Sequence, residues 1–159
     1  MNRRLTLIAL TASALLAACA TPPAPAPLTD ALARDPQLST FNRLVAQAGL
    51  ADELRAAGPL TVFAPSDDAF RAVPAKTMEA LAADPAQLKA VLSYHVIDGR
   101  VTAADVKPGA VKTRQGASLA LAKAGTFVTV DDAVVQQADV IATNGVAHVV
   151  DRVLMPPKK

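Results

Sequence analysis

Tryptophan is absent from this chain of 159 residues, and all aromatic residues together make up only 3% of it. Platforms that stack the bases of single-stranded nucleic acid are therefore missing. The core has to be aliphatic, drawn from Val, Leu and Ala within a 52% hydrophobic composition. One cysteine is present, so no disulfide can form within the domain and its stability rests on packing. Histidine occurs only at positions 95 and 148, short of the three or four spaced ligands of a zinc site. No G-x-S-x-G elbow frames Ser66, Ser93 or Ser118, and no glycine-rich phosphate loop or dinucleotide fingerprint occurs. The chain reads as a non-enzymatic protein without catalytic residues, cofactor or metal.

Charge of one sign is lacking as well. The 16 basic and 14 acidic residues give a formal +2. Two of the basic ones, Arg3 and Arg4, head a mostly apolar stretch from Leu5 to Leu16 that is too short to span a bilayer. Residues 1–18 read as an export signal, and their removal leaves 14 charges of each sign. That balance offers no footprint for nucleic acid, and Lys158–Lys159 read as a solvated tail.

Leu16-Ala17-Ala18-Cys19 resembles the bacterial lipobox. The resemblance implies that Cys19 is acylated and becomes the new N-terminus, with the lipid bilayer as its partner. The alternative is a cleaved signal whose cysteine goes unused. Each buried methylene contributes about 0.8 kcal/mol of membrane affinity, so more than one acyl chain makes a durable anchor. Ala20 stands where an aspartate favours inner-membrane retention in enteric-type bacteria. That comparison implies the outer membrane, with the domain facing the periplasm or the exterior. Residues 19–27 form a linker in which Pro22, Pro23, Pro25 and Pro27 favour polyproline II. At about 3.1 Å per residue, the eight residues after Cys19 reach about 25 Å.

A single domain is expected over 28–157, followed by the tail 158–159. Leu38, Phe41, Leu44, Val45 and Ala48 recur at helical spacing, Gly49 ends or bends that helix, and Leu50 to Ala57 adds another turn or two before Gly58-Pro59. Leu60 to Ala64 reads as a core strand. Ser66 is placed to cap a helix with Asp67 and Asp68 in its first turn. Helices are expected over 76–83 and 85–93. Beyond His95 the pattern turns to short strands: "GAVKTR", "SLALAK", "TFVTV", "AVVQQ" and "DVIAT", with Asp98-Gly99 as a turn. Asn144-Gly145 is the strongest hairpin signal, as the centre of a type I′ turn. It would set Ile141 opposite His148 and Asp139 opposite Val150. Helices first and strands later make the class α+β.

Three segments carry a family resemblance: "GPLTVFAPSDDAF" (58–70), "LKAVLSYHVIDGRV" (88–101) and "NGVAHVVDRVLMPP" (144–157). In order and spacing they resemble the signature segments of the fasciclin domain, FAS1, and the likeness covers nearly all of 28–157. It implies a wedge-like antiparallel β-sandwich of about seven strands flanked by helices. It also implies a role in cell adhesion or surface binding without a family-wide catalytic activity. Its signature positions fall here on Thr61, Phe63, Pro65, Ser66, Asp67, Phe70, Tyr94, His95, Asn144, Gly145, His148 and Asp151. Ala147 departs from the pattern, which often has a larger aliphatic residue there.

His148, between valines, reads as a core residue rather than a catalyst, with its ring hydrogen-bonded to the "TVFAPSDD" segment. Tyr94-His95 resembles the family's "YH" segment, linked in animal members to integrin-mediated adhesion. It is a possible partner-binding pair, although a packing role where a helix hands over to a strand is the simpler reading. Two functions stay open: a surface-tethered module for a protein or polysaccharide, and a structural envelope component without a discrete ligand. A small-molecule carrier is a third, and would need an apolar pocket.

Overall fold

The computed structural model describes residues 26–56 and 58–157; the signal, Cys19 and the tail lie outside them. The helices lie in the N-terminal part of the fold, on either side of the first strand, Leu60–Pro65. A short α1, Leu28–Ala33, buries Leu28 and Leu32. After a 3-10 turn, α2 (Ser39–Gln47) buries the Phe41, Leu44, Val45 stripe. Gly49, at φ +69°, ends it. The Leu50 N–H donates to the Val45 carbonyl and that of Gly49 to Ala46, a Schellman closure. Next come α3 (Ala51–Ala56), α4 (Asp67–Arg71), α5 (Ala75–Ala83) and α6 (Pro85–Tyr94). Asp84 caps α6 by accepting from the N–H groups of Ala86 and Gln87, with Pro85 in the first turn, where its missing N–H costs nothing.

The strands are β1 (Leu60–Pro65), β2 (Val96–Asp98), β3 (Gly109–Lys112), β4 (Ser118–Ala124), β5 (Phe127–Val130), β6 (Ala133–Ala142) and β7 (Gly145–Val150). They form one seven-stranded sheet in the order β2-β1-β7-β6-β5-β4-β3. A bridge between Ile97 and Thr113 brings its two edges together, so the sheet nearly closes on itself. The class is α+β with seven strands, as expected, but the sheet is mixed. β1 and β7 run parallel, Leu60 against Gly145 through Pro65 against Val150. Both strands are buried along their whole length, the usual condition of parallel pairs.

Alternation then divides the core. Leu60, Val62 and Ala64 of β1, with Ala147 and Val149 of β7, face a cluster filled from the helices by Leu28, Phe41, Leu88 and Leu92. Phe63 and Val150 face a second cluster with Ile97, Leu119, Leu121, Val128 and Val130. Ala147 is wholly enclosed against β1.

Two expectations for the closing strands are corrected. "AVVQQ" and "DVIAT" are one ten-residue strand, β6, with register shifts between Val135 and Gln137 and between Gln137 and Val140. Asp139 sits in the irregular stretch at φ +58°. The hairpin loop is Thr143-Asn144, because Ala142 pairs with Gly145 and Ile141 with Val146. Ile141 is therefore not opposite His148, nor Asp139 opposite Val150, which pairs with Val135. Neither Asn144 nor Gly145 has a positive φ, so the turn is not type I′.

Candidate functional site

The signature residues come together as a web of buried braces around β1 and β7. The Thr61 hydroxyl donates to the Gly99 carbonyl at 2.8 Å and accepts from the Val101 N–H at 2.9 Å. The carbonyl of Val101 in turn accepts from Nε2 of His148 at 2.8 Å. Nδ1 of His148 accepts from the Asp139 N–H at 3.3 Å, which fixes the neutral Nε2–H tautomer. The ring stacks on Phe63 at 5.5 Å between centroids. His148 is buried and fully engaged, but its hydrogen-bond partners are not in the "TVFAPSDD" segment. That segment reaches it one step removed, through Thr61 and the Val101 peptide, and by the Phe63 contact. Burial lowers the pKa of His148, against upward pulls from the Val101 hydrogen bond and the Asp139 charge.

His95 is wholly buried at the end of α6. Its Nδ1 donates to the Val91 carbonyl at 2.8 Å, and its Nε2 accepts from the Leu154 N–H at 3.0 Å. Its own carbonyl accepts from the N–H of Phe63. One residue thus ties α6, β1 and the C-terminal segment. Burial pushes its pKa down to about 4, against a smaller upward pull from Val91. Tyr94, 3% exposed, donates from its hydroxyl to Oδ2 of Asp131 at 2.8 Å and lies 3.1 Å from the Ser118 carbonyl. Burial and the Asp131 bond raise its pKa to about 12. Both side chains of the "YH" pair are enclosed in the fold.

Ser66 caps α4 by accepting from the Ala69 N–H, and Phe70 packs into the helical cluster. Asp67 does more than sit in a first turn: it accepts from the Ser39 hydroxyl at 2.7 Å and the Thr40 N–H at 2.8 Å, at the start of α2. Burial pulls its pKa up, but these hydrogen bonds outweigh that and lower it. Pro65 completes β1, and Asp151 extends the β6–β7 pairing by accepting from the Val134 N–H. The Asn144 side chain takes a role that reasoning from turn chemistry missed. Its Oδ1 accepts from the Leu28 N–H at 2.8 Å, and its Nδ2 donates to the carbonyls of Leu54 and Arg55. It holds α1 and the end of α3 to the hairpin. Gly145 is required by closeness, since a Cβ there would stand 2.2 Å from the Leu60 oxygen.

Replacing His148 with Leu keeps the bulk but leaves the Val101 carbonyl and the Asp139 N–H without partners. At about 1–3 kcal/mol for a buried unsatisfied group, a loss of about 2 kcal/mol is expected in urea denaturation. A variant as stable as the parent would contradict the brace.

Among the described residues, no group of three His, Cys, Asp or Glu could hold a metal ion. No described helix is long and apolar enough to cross a membrane. Three open grooves of about 600, 530 and 580 Å³ share Met155 at their edges. They run between the C-terminal segment and either α4–α5, α5–α6 or the β5–β6 turn.

The outer side of β3–β6 differs from these. Pairing Ala110 with Ala120, Ala122 with Thr129, Ala124 with Phe127 and Thr129 with Val134 puts all of these side chains on one face. The alanines are exposed, Phe127 is 68% exposed and Val134 37%. Lys112 at a corner is the charged side chain these strands place on that face. From strand spacing and rise the face covers about 300 Å², near the size of the largest apolar patch on a typical monomer.

A helix-flanked, nearly closed mixed sheet, pinned by buried polar braces, is the architecture that these residues build. The Fasciclin domain family model matches residues 36–156, and the chain belongs to the fasciclin domain family. It is 46% identical over 123 residues to Protein sll1483 of Synechocystis sp., covering 74% of this chain and 68% of that one. It is 35% identical over 136 residues to the cell surface glycolipoprotein MPB83 of Mycobacterium bovis, covering 82% of this chain and 61% of that protein. The fold matches a FAS1 domain pair from the insect cell adhesion molecule fasciclin I. There the TM-score is 0.68 at 20% identity, over 82% of this chain and 51% of that one.

Proposed function

We propose that the protein is a non-enzymatic binding module, held at the cell envelope by an acylated Cys19, that engages a protein or polysaccharide through the outer face of β3–β6. The observation that carries this reading is the exposed, nearly uncharged face of Ala110, Ala120, Ala122, Ala124 and Val134. Exposed apolar patches rimmed by polar groups mark interaction sites. The surface location of MPB83 and the adhesion role of fasciclin I support an extracytoplasmic setting. In this reading Tyr94 and His95 serve as braces, and the outer membrane is the site of the anchor.

Ala122 lies in the middle of the face. Replacing it with Arg is expected to weaken binding to envelope proteins or arrayed glycans at least tenfold and leave the melting temperature unchanged. Equal binding by both proteins would move the partner elsewhere. Replacing Cys19 with Ser is expected to release the protein from the membrane fraction.

A further inference from the structure

We propose that the end of the sheet where the chain enters the fold rests on the bilayer, with Phe127 and Ile141 dipping into its interface. The inference rests on the acylated Cys19 of the proposed function. Only six residues lie between Cys19 and Ala26, the first described residue, so the two are seven steps of chain apart. At most about 3.3–3.6 Å per residue, the entry point lies within about 25 Å of the lipid.

The entry point is fixed to one end of the sheet. The carbonyl of Ala26 accepts from the Thr143 N–H, and the Leu28 N–H donates to Asn144, both in the β6–β7 loop. The β4–β5 turn points the same way: β5 is antiparallel to β6 with Thr129 against Val134, so Phe127 lies further toward the β6–β7 loop. Ile141 is one residue before the end of β6. Among the described residues these are the two most exposed large apolar side chains, at 68% and 62%. Both stand at the end where a tether from the membrane would arrive.

Charge at that end agrees with a phospholipid surface. Arg100 follows the Asp98-Gly99 turn, and the Gly99 N–H donates to Pro59 beside β1's start. Lys107 precedes β3, and Lys123, next to last in β4 and donating to the Ala104 carbonyl, stands beside the β4–β5 turn. None of the three is in an ion pair among the described residues. The neighbouring acids are exposed but each has a partner in the protein: Asp105 in Thr102, Asp139 in the Ala103 N–H, and Asp98 in Arg114. Interfacial binding of this kind combines buried apolar area with attraction to anionic lipid. In this orientation the strands rise from the membrane and the alanine face looks sideways, free for a partner.

The absence of tryptophan makes the test direct. Phe127→Trp and, as a control at the opposite end, Met155→Trp each give the acylated protein a single reporter. In phosphatidylethanolamine–phosphatidylglycerol vesicles with brominated lipid, the tryptophan of Phe127→Trp is expected to shift to the blue and be quenched at least twofold. That of Met155→Trp is expected to stay unchanged. If both proteins float with the vesicles but are quenched alike, the orientation is overturned and the anchor stands. If neither floats, the anchor fails and the orientation with it.

Discussion

Gly145→Ala is expected to prevent accumulation of folded protein or to lower its melting temperature by about 10 °C or more. The added methyl would lie 2.2 Å from the Leu60 oxygen, 3.0 Å from its carbonyl carbon and 3.2 Å from Cδ1 of Leu28. Two of those atoms are backbone. Leu60 cannot retreat, since it is paired with Asp98 on one side and Gly145 on the other. Ordinary overpacking costs about 1–3 kcal/mol because side chains absorb part of it. Here β1 and β7 must separate at the centre of the sheet, so about 3 kcal/mol or more is expected. For a domain of this size that corresponds to about 10 °C. Thermal melts followed by circular dichroism measure it, and a variant melting within two degrees of the parent would contradict the close approach.

Acid should begin to destabilise the protein above the range where carboxylates titrate. His95 is neutral in the fold, with a pKa of about 4, and an unfolded histidine titrates near 6.5. Above pH 6.5 both states are neutral and His95 contributes its full stabilisation. Between pH 6.5 and 4 the unfolded state holds one more proton, so stability falls as pH falls. The slope approaches about 1.4 kcal/mol per pH unit, for a total of about 3 kcal/mol. His148, also lowered by burial, adds loss in the same direction. Asp67 acts later: its folded pKa lies below 3.8, so its contribution holds above that value and fades beneath it. Urea denaturation between pH 7 and 4.5 should show the decline, and the decline should be shallower in His95→Gln. A stability independent of pH in this window would mean that the imidazoles are not sealed from water.

The sequence conveyed local structure well and distant partnership poorly. The helices α2, α5 and α6 carry their own marks: an apolar stripe ended by Gly49, and the Asp84-Pro85 start. The six-residue α1 offers only Leu28 and Leu32, too few for a period. β6 reads as two strands because a bulge at Asp139 breaks its alternation, and nothing local distinguishes a bulge from a turn. Asn144-Gly145 carries the composition of a type I′ turn, yet both residues are spent otherwise, Asn144 on groups 116 and 90 residues away. His148 could be read as buried from its valine neighbours, but its acceptor Val101 lies 47 residues back on an irregular stretch. The unbroken burial-compatible runs "LTVFAP" and "GVAHVV" are typical of parallel strands covered on both faces.

The parallel β1–β7 pair also bears on how the molecule comes into being. β7 is the last strand to leave the ribosome, yet it occupies the middle of the sheet between β1 and β6. Until residue 150 is available, β1 has a partner on one side only and the helices have half a floor to pack on. Pairing strands so far apart in the chain raises the contact order, which slows folding. A growing chain therefore stays open until residue 150 has been made, and only then does the sheet assemble as a whole.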